Sequence, residues 1–174
     1  VKGTALYTPA LYPSGFTPST TPLTAIANTS LLTCHSNRLL DNSTNNATVT
    51  KAGDVAVKTY NPFQVNSGTS YYFDGTGDYL IPSNNLSLTF GTGNFTIEAW
   101  VYAVSFTGSP TIVDYRPATT NGSYPLLYLD TSGAPIYYVN ATIVITGSAL
   151  SANTWYHIAL CRSGTSTRLF VNGT

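Results

Sequence analysis

Phe95-Thr96-Ile97-Glu98-Ala99-Trp100-Val101-Tyr102 is the stretch on which the fold turns. In a strand, successive side chains point to opposite faces, so Phe95, Ile97, Ala99 and Val101 share one side and read as core. Thr96, Glu98, Trp100 and Tyr102 share the other. That second face is amphipathic and is expected to line a concave surface or to meet a covering loop. Trp155-Tyr156-His157-Ile158-Ala159-Leu160-Cys161-Arg162 is apolar on both of its alternating faces, which predicts a central strand covered on both sides.

The same rhythm runs outward from these two segments. Short β-rich runs occur at Leu31–Cys34, Val55–Tyr60, Ser70–Phe73, Tyr79–Ile81, Phe95–Val104, Thr111–Tyr115, Leu126–Leu129, Ile136–Val139, Thr142–Thr146, Trp155–Arg162 and Arg168–Val171. Between them lie Asp41-Asn42-Ser43, Ala52-Gly53-Asp54, Asn66-Ser67-Gly68, Asp74-Gly75, Gly91-Thr92-Gly93, Asn121-Gly122, Ser132-Gly133 and Ser163-Gly164, which supply turn geometry. Many short strands at this spacing predict an all-β, two-sheet antiparallel sandwich. No apolar stripe of helical period interrupts them.

Residues 1–28 read as an extended arm ahead of a sandwich spanning 29–174. Pro9, Pro13, Pro18 and Pro22 are interleaved with Thr and Ser, which disfavours helix and central strand. Tyr7, Leu11, Tyr12 and Phe16 give the arm apolar handles. It is therefore expected to dock, either on its own domain or on a neighbouring subunit.

Composition excludes several functions. Charged residues make up 8% of the 174, the net charge is zero, and Lys plus Arg number seven. So few cations form neither a nucleic-acid footprint nor a polybasic membrane patch. No apolar run is long enough to span a bilayer as a helix. The 13 Tyr and 7 Phe, with abundant Thr, Ser and Asn, instead suit an extracellular or virion β-protein.

Three segments carry a family resemblance: Tyr71-Tyr72-Phe73-Asp74-Gly75-Thr76-Gly77-Asp78-Tyr79-Leu80; Phe90-Gly91-Thr92-Gly93-Asn94 running into the Phe95 strand; and Trp155 to Gly164 followed by Arg168-Leu169-Phe170-Val171-Asn172-Gly173. Their order and spacing resemble the LamG-like, concanavalin A-like lectin/glucanase superfamily, over roughly residues 30–174. The Ala25–Asn46 stretch is similar to the start of such modules in bacteriophage tail and other virion structural proteins. The resemblance implies a jelly-roll topology. It also implies further strands after the Phe170-Val171-Asn172-Gly173 hairpin, so the chain is expected to continue beyond Thr174.

Candidate chemistry is sparse. Some relatives hydrolyse glycans with two carboxylates about 5–5.5 Å apart. Glu98 is the one glutamate, and Thr96 and Trp100 flank it on its face, so no enzyme is expected and Glu98 reads as a solvated side chain. His35 and His157 read as hydrogen-bonded histidines in or near the core. Cys34 and Cys161 read as buried free thiols, a disulfide between them being the alternative. Asp74 and Asp78 pair two carboxylates across a glycine turn. They either cap the hairpin or, as relatives of this fold suggest, hold calcium, the one cofactor the pattern offers, with Asp114 and Asp130 as further candidates.

Trp100, Tyr102, Tyr124 and Tyr128 are the candidate ligand-binding rings, with Tyr115, Tyr137 and Tyr138 behind them. Glycosylation sequons stand at Asn28, Asn42, Asn46, Asn85, Asn94, Asn121 and Asn140. The reading that results is a non-enzymatic structural and adhesion module at a virion surface, on a tail fibre or appendage. Its expected partners are host-surface glycan, other virion proteins or copies of itself. The alternative is a secreted or cell-surface carbohydrate-binding domain of a cellular organism.

Overall fold

The computed structural model describes residues 1–63, 68–83, 90–117 and 122–174. Among them every regular element is a β-strand, and every pairing is antiparallel. The chain divides into two compact units.

The first unit comprises Val1–Gly3 and Ser19–Leu88. Here β1 (Val49–Ala52) pairs with β4 (Tyr79–Pro82), and β2 (Ala56–Lys58) pairs with β3 (Ser70–Tyr72). Its apolar anchors are Val55 and Tyr71, whose hydroxyl donates to the Arg38 carbonyl. The rest of its order comes from polar closure. The buried Asp41 carboxylate accepts the Leu32, Ser43 and Ala47 amides at 2.9, 2.9 and 3.0 Å and the Ser43 hydroxyl at 2.8 Å. That cap holds the 30–47 loop where a strand was expected at Leu31–Cys34, and Cys34 sits there exposed, at φ 60°, rather than as a buried strand thiol. A local carboxylate offered the backbone a better set of partners than a ladder would.

The second unit comprises Thr4–Pro18 and Thr89–Thr174. One sheet has the order β11-β10-β5, from Ser166–Val171, Trp155–Ser163 and Phe95–Tyr102. The other runs β6-β7-β8-β9, from Thr111–Asp114, Leu126–Leu129, Pro135–Val139 and Thr142–Thr146. Register places Ile97 opposite Leu160 and Leu160 opposite Leu169, so these side chains share the inner face of the first sheet. Leu127, Leu129 and Tyr137 supply the buried inner face of the second. This is an all-β, two-sheet sandwich with β10 central, as its two apolar faces predict.

The family-like loops are tied by single side chains. Arg162 donates from Nε to the Gly93 carbonyl at 2.8 Å and from Nη2 to that of Gly91 at 2.7 Å, and it stacks over Phe95. Asn94 Oδ1 accepts the Gly164 amide at 2.8 Å. At the end of β11, Asn172 Oδ1 accepts the His157 amide at 2.9 Å.

Candidate functional site

The outer face of the three-stranded sheet carries Thr96, Glu98, Trp100 and Tyr102 from β5, with His157, Ala159 and Cys161 from β10 and Phe170 from β11. Residues 4–18 lie across part of it. Ala5, Tyr7 and Phe16 pack against Ala159, Cys161 and Phe170. Tyr7 and Phe16 stack with ring centroids 3.6 Å apart, and Phe16 meets the Phe170 and His157 rings edge-on at 5.2 and 5.7 Å. Thr96 serves as the peg: its Oγ1 donates to the Thr4 carbonyl at 2.7 Å and accepts the Leu6 amide at 3.0 Å. The covering loop expected over this face is thus the N-terminal segment itself.

Glu98 is not solvated. Its side chain is 3% exposed, and its Oε2 lies 3.3 Å from Nε2 of the fully buried His157. The Tyr7 hydroxyl donates to the same oxygen at 2.5 Å. Burial, and then the Glu98 hydrogen bond and charge, push the Tyr7 phenol far above its ordinary range. A carboxylate flanked by Thr96 and Trp100 looks solvent-facing by alternation alone. What seals it is a tyrosine 91 residues away in sequence.

The candidate rings fall in separate places. Trp100 packs edge-on against His157 at 5.4 Å, and Tyr102 tilts against Trp155 at 5.4 Å, both on the face the arm crosses. Tyr128 lies on the outer face of the other sheet. There it lines a shallow depression of about 300 Å³ with Ser109, Thr111, Arg116, Leu126 and Tyr138. Tyr124, whose amide donates to the Gly122 carbonyl at 2.7 Å, is not among the residues lining that depression. Tyr115 and Tyr137 are packing residues, their phenols pushed up chiefly by burial.

At the depression Arg116 grips Asp114 twice, Nε to Oδ1 at 3.0 Å and Nη2 to Oδ2 at 2.8 Å, and its guanidinium lies 5.7 Å from the Tyr138 ring centre. Partial burial raises the Asp114 carboxyl, but the hydrogen bonds and charge of Arg116 outweigh it and hold the group below the ordinary carboxylate range.

Asp74 and Asp78 meet a third carboxylate, Asp54, from the Ala52-Gly53-Asp54 turn. One oxygen from each lies within 4.8 Å of the others. Oxygens around one calcium ion, each 2.3–2.6 Å from it, lie at most about 5 Å apart, so the donor set and its spacing fit that cation. The same carboxylates also close the turns. Asp78 Oδ1 accepts the Asp54 amide at 2.8 Å and Oδ2 the Asp74 amide at 2.9 Å. Asp114 is held by Arg116, and Asp130 accepts the Ser132 hydroxyl at 2.6 Å and the Ala134 amide at 2.9 Å within its own turn.

His35 is half-buried, while Asn28, Asn46, Asn94 and Asn140 are exposed. Asn85 and Asn121 lie outside the described residues. Both cysteines are free, Cys161 buried and Cys34 exposed.

Residues 73–174 match the family described as the Concanavalin A-like lectin/glucanases superfamily, more than half of the chain. The chain belongs to that superfamily. The search of curated proteins found no match, and neither did the search of solved structures. The superfamily match begins at Phe73 and takes in β4 to β11, so it contains the Glu98 face, the Tyr128 depression and two of the three clustered aspartates.

Proposed function

We propose that this chain is a non-enzymatic adhesion module displayed on a virion, binding glycan through its lectin-type sandwich. Membership of a lectin/glucanase superfamily supports carbohydrate as the ligand class. The observation that favours binding over hydrolysis is Glu98. The chain's one glutamate is covered by Tyr7, lies 3.3 Å from His157 Nε2 and has no carboxylate partner on its strand, an arrangement that supports binding without hydrolysis. The virion setting rests on the low-charge, Thr- and Asn-rich surface and on the similarity to phage modules. Calcium at Asp54, Asp74 and Asp78 is part of the same reading.

The test is a glycan array probed with the full chain, run beside a reducing-sugar release assay on the glycans that bind. Retention without hydrolysis is expected. Hydrolysis, or silence across the array, defeats the reading. A second reading, a secreted or cell-surface domain of a cellular organism, is favoured by the exposed sequons Asn28, Asn46, Asn94 and Asn140. Glycan mass on the native protein would select it.

A further inference from the structure

We propose that the outer face of the β6-β7-β8-β9 sheet holds a subsite for a single uncharged sugar ring, a neutral pyranose with vicinal hydroxyls. This rests on the glycan-binding reading above and names its site and ligand class.

Strand register builds the site. Thr111 stands opposite Tyr128, Asp114 opposite Leu126, and Leu126 opposite Tyr138, so all five side chains emerge on one face. Tyr128 and Tyr138 are diagonal neighbours, a relation that puts Cα atoms about 7–8 Å apart, within reach of large side chains on a common face. Leu126 stands between them in the register, and Ser109, Thr111 and Arg116 complete the lining. A depression of about 300 Å³ is at the lower end of small-molecule sites, sized for one ring with the rest of a glycan in solvent.

Charge selects the class. Arg116 is already neutralised by a two-bond grip on Asp114, so the site offers no surplus cation to an acidic sugar, and the Asp114 carboxylate repels one. What remains suits hydroxyls. A guanidinium carries five N–H donors, of which Asp114 takes two, and an ionised carboxylate accepts on both oxygens. Sugar hydroxyls accept from the remaining guanidinium donors and pair with the Ser109 and Thr111 hydroxyls, while a C–H face lies on the tyrosine rings.

The experiment titrates the full chain with methyl α-mannopyranoside, methyl β-galactopyranoside, methyl β-glucopyranoside and the sodium salt of methyl β-glucuronide, followed by NMR. At least one neutral glycoside should shift resonances of Tyr128, Tyr138 and Arg116, with Kd on the order of 1 mM. Tyr128→Ala and Tyr138→Ala should each weaken it roughly tenfold, and Tyr128→Phe, which keeps the ring, much less. Preference for the glucuronide overturns the ligand class. Glycosides or array glycans that bind with the two alanine variants unimpaired overturn the site and leave the adhesion reading standing. Absence of binding by any glycoside and by the array removes both.

Discussion

Glu98 shows how a single side chain changes role when its neighbours are counted. Burying a carboxylate is costly unless neighbouring polar groups compensate, and here the Tyr7 hydroxyl donates to Glu98 while His157 Nε2 lies 3.3 Å from the same oxygen. Removing one member leaves the others buried and short of a partner. Tyr7→Phe should cost about 1–3 kcal/mol in urea unfolding, and Glu98→Gln about 3 kcal/mol, with the double variant costing less than their sum because both act on one network. Strict additivity would show that Tyr7 and Glu98 do not communicate. None of this was legible locally. Period-two alternation placed Glu98 on the correct face, but the partner that covers that face comes from a segment without periodicity.

Asp41 is the residue-scale counterpart in the first unit, 3% exposed. Burial raises its carboxyl, yet the amides of Leu32, Ala47 and Ser43 and the Ser43 hydroxyl outweigh that and leave it below its ordinary value of 3.8. A group depressed in the folded state stabilises fully above its unfolded value and loses that contribution as pH falls through the folded one. Asp41→Asn should therefore cost about 2 kcal/mol at pH 7, and the gap from wild type should close as pH is lowered through and below the ordinary carboxyl value of 3.8. A constant difference across that range would assign the loss to shape rather than charge.

At the scale of elements, sequence was most informative where alternation is strict. β5 and β10 emerged with their faces assigned, and ten of the eleven strands among the described residues overlap the β-rich runs. β1 was missed because Val49-Thr50-Lys51-Ala52 carries one aliphatic side chain larger than alanine, so its pairing with β4 leaves a weak local trace. The apolar handles of residues 4–18 were legible, but their seat was not, and turns such as the one closed by the Tyr12 amide on the Thr8 carbonyl at 2.8 Å interrupt the extended backbone that the prolines suggest. Gly15 and Gly173 explain the fit. Both have positive φ, 104° and 83°, and a Cβ on Gly15 would strike the Gly173 carbonyl while one on Gly173 would strike that of Phe16. The Phe16 amide donates to the Gly173 carbonyl at 2.8 Å across that close approach. With Cys34 replaced by Ser, Cys161 is the one thiol, and it lies beneath Ala5, Tyr7 and Phe16. It should resist a thiol reagent in the native state, and Phe16→Ala or Gly173→Ala should speed its modification at least tenfold while the far-ultraviolet β signal persists. Equal rates in all three proteins would mean that residues 4–18 do not guard this face.

At the scale of the whole molecule, scarcity of charge is the governing property. With 8% charged residues and zero net charge, long-range electrostatics contribute little to either unit. Among the described residues, two close contacts of opposite type illustrate this. Arg116–Asp114 is at the surface and worth at most about 1 kcal/mol, while the Glu98 carboxylate beside His157 is sealed from mobile ions. Stability should accordingly be nearly flat in salt, with Tm moving by no more than about 2 °C between 0.05 and 0.5 M sodium chloride. Calcium is the informative exception, because three carboxylates within 4.8 Å concentrate negative charge that a divalent cation would relieve. Millimolar calcium should raise Tm by several degrees where the same ionic strength of sodium chloride does not, and Asp54→Asn should abolish the increment. If calcium and sodium chloride act alike, the three aspartates serve the turns alone, closing them through the Asp78 carboxylate.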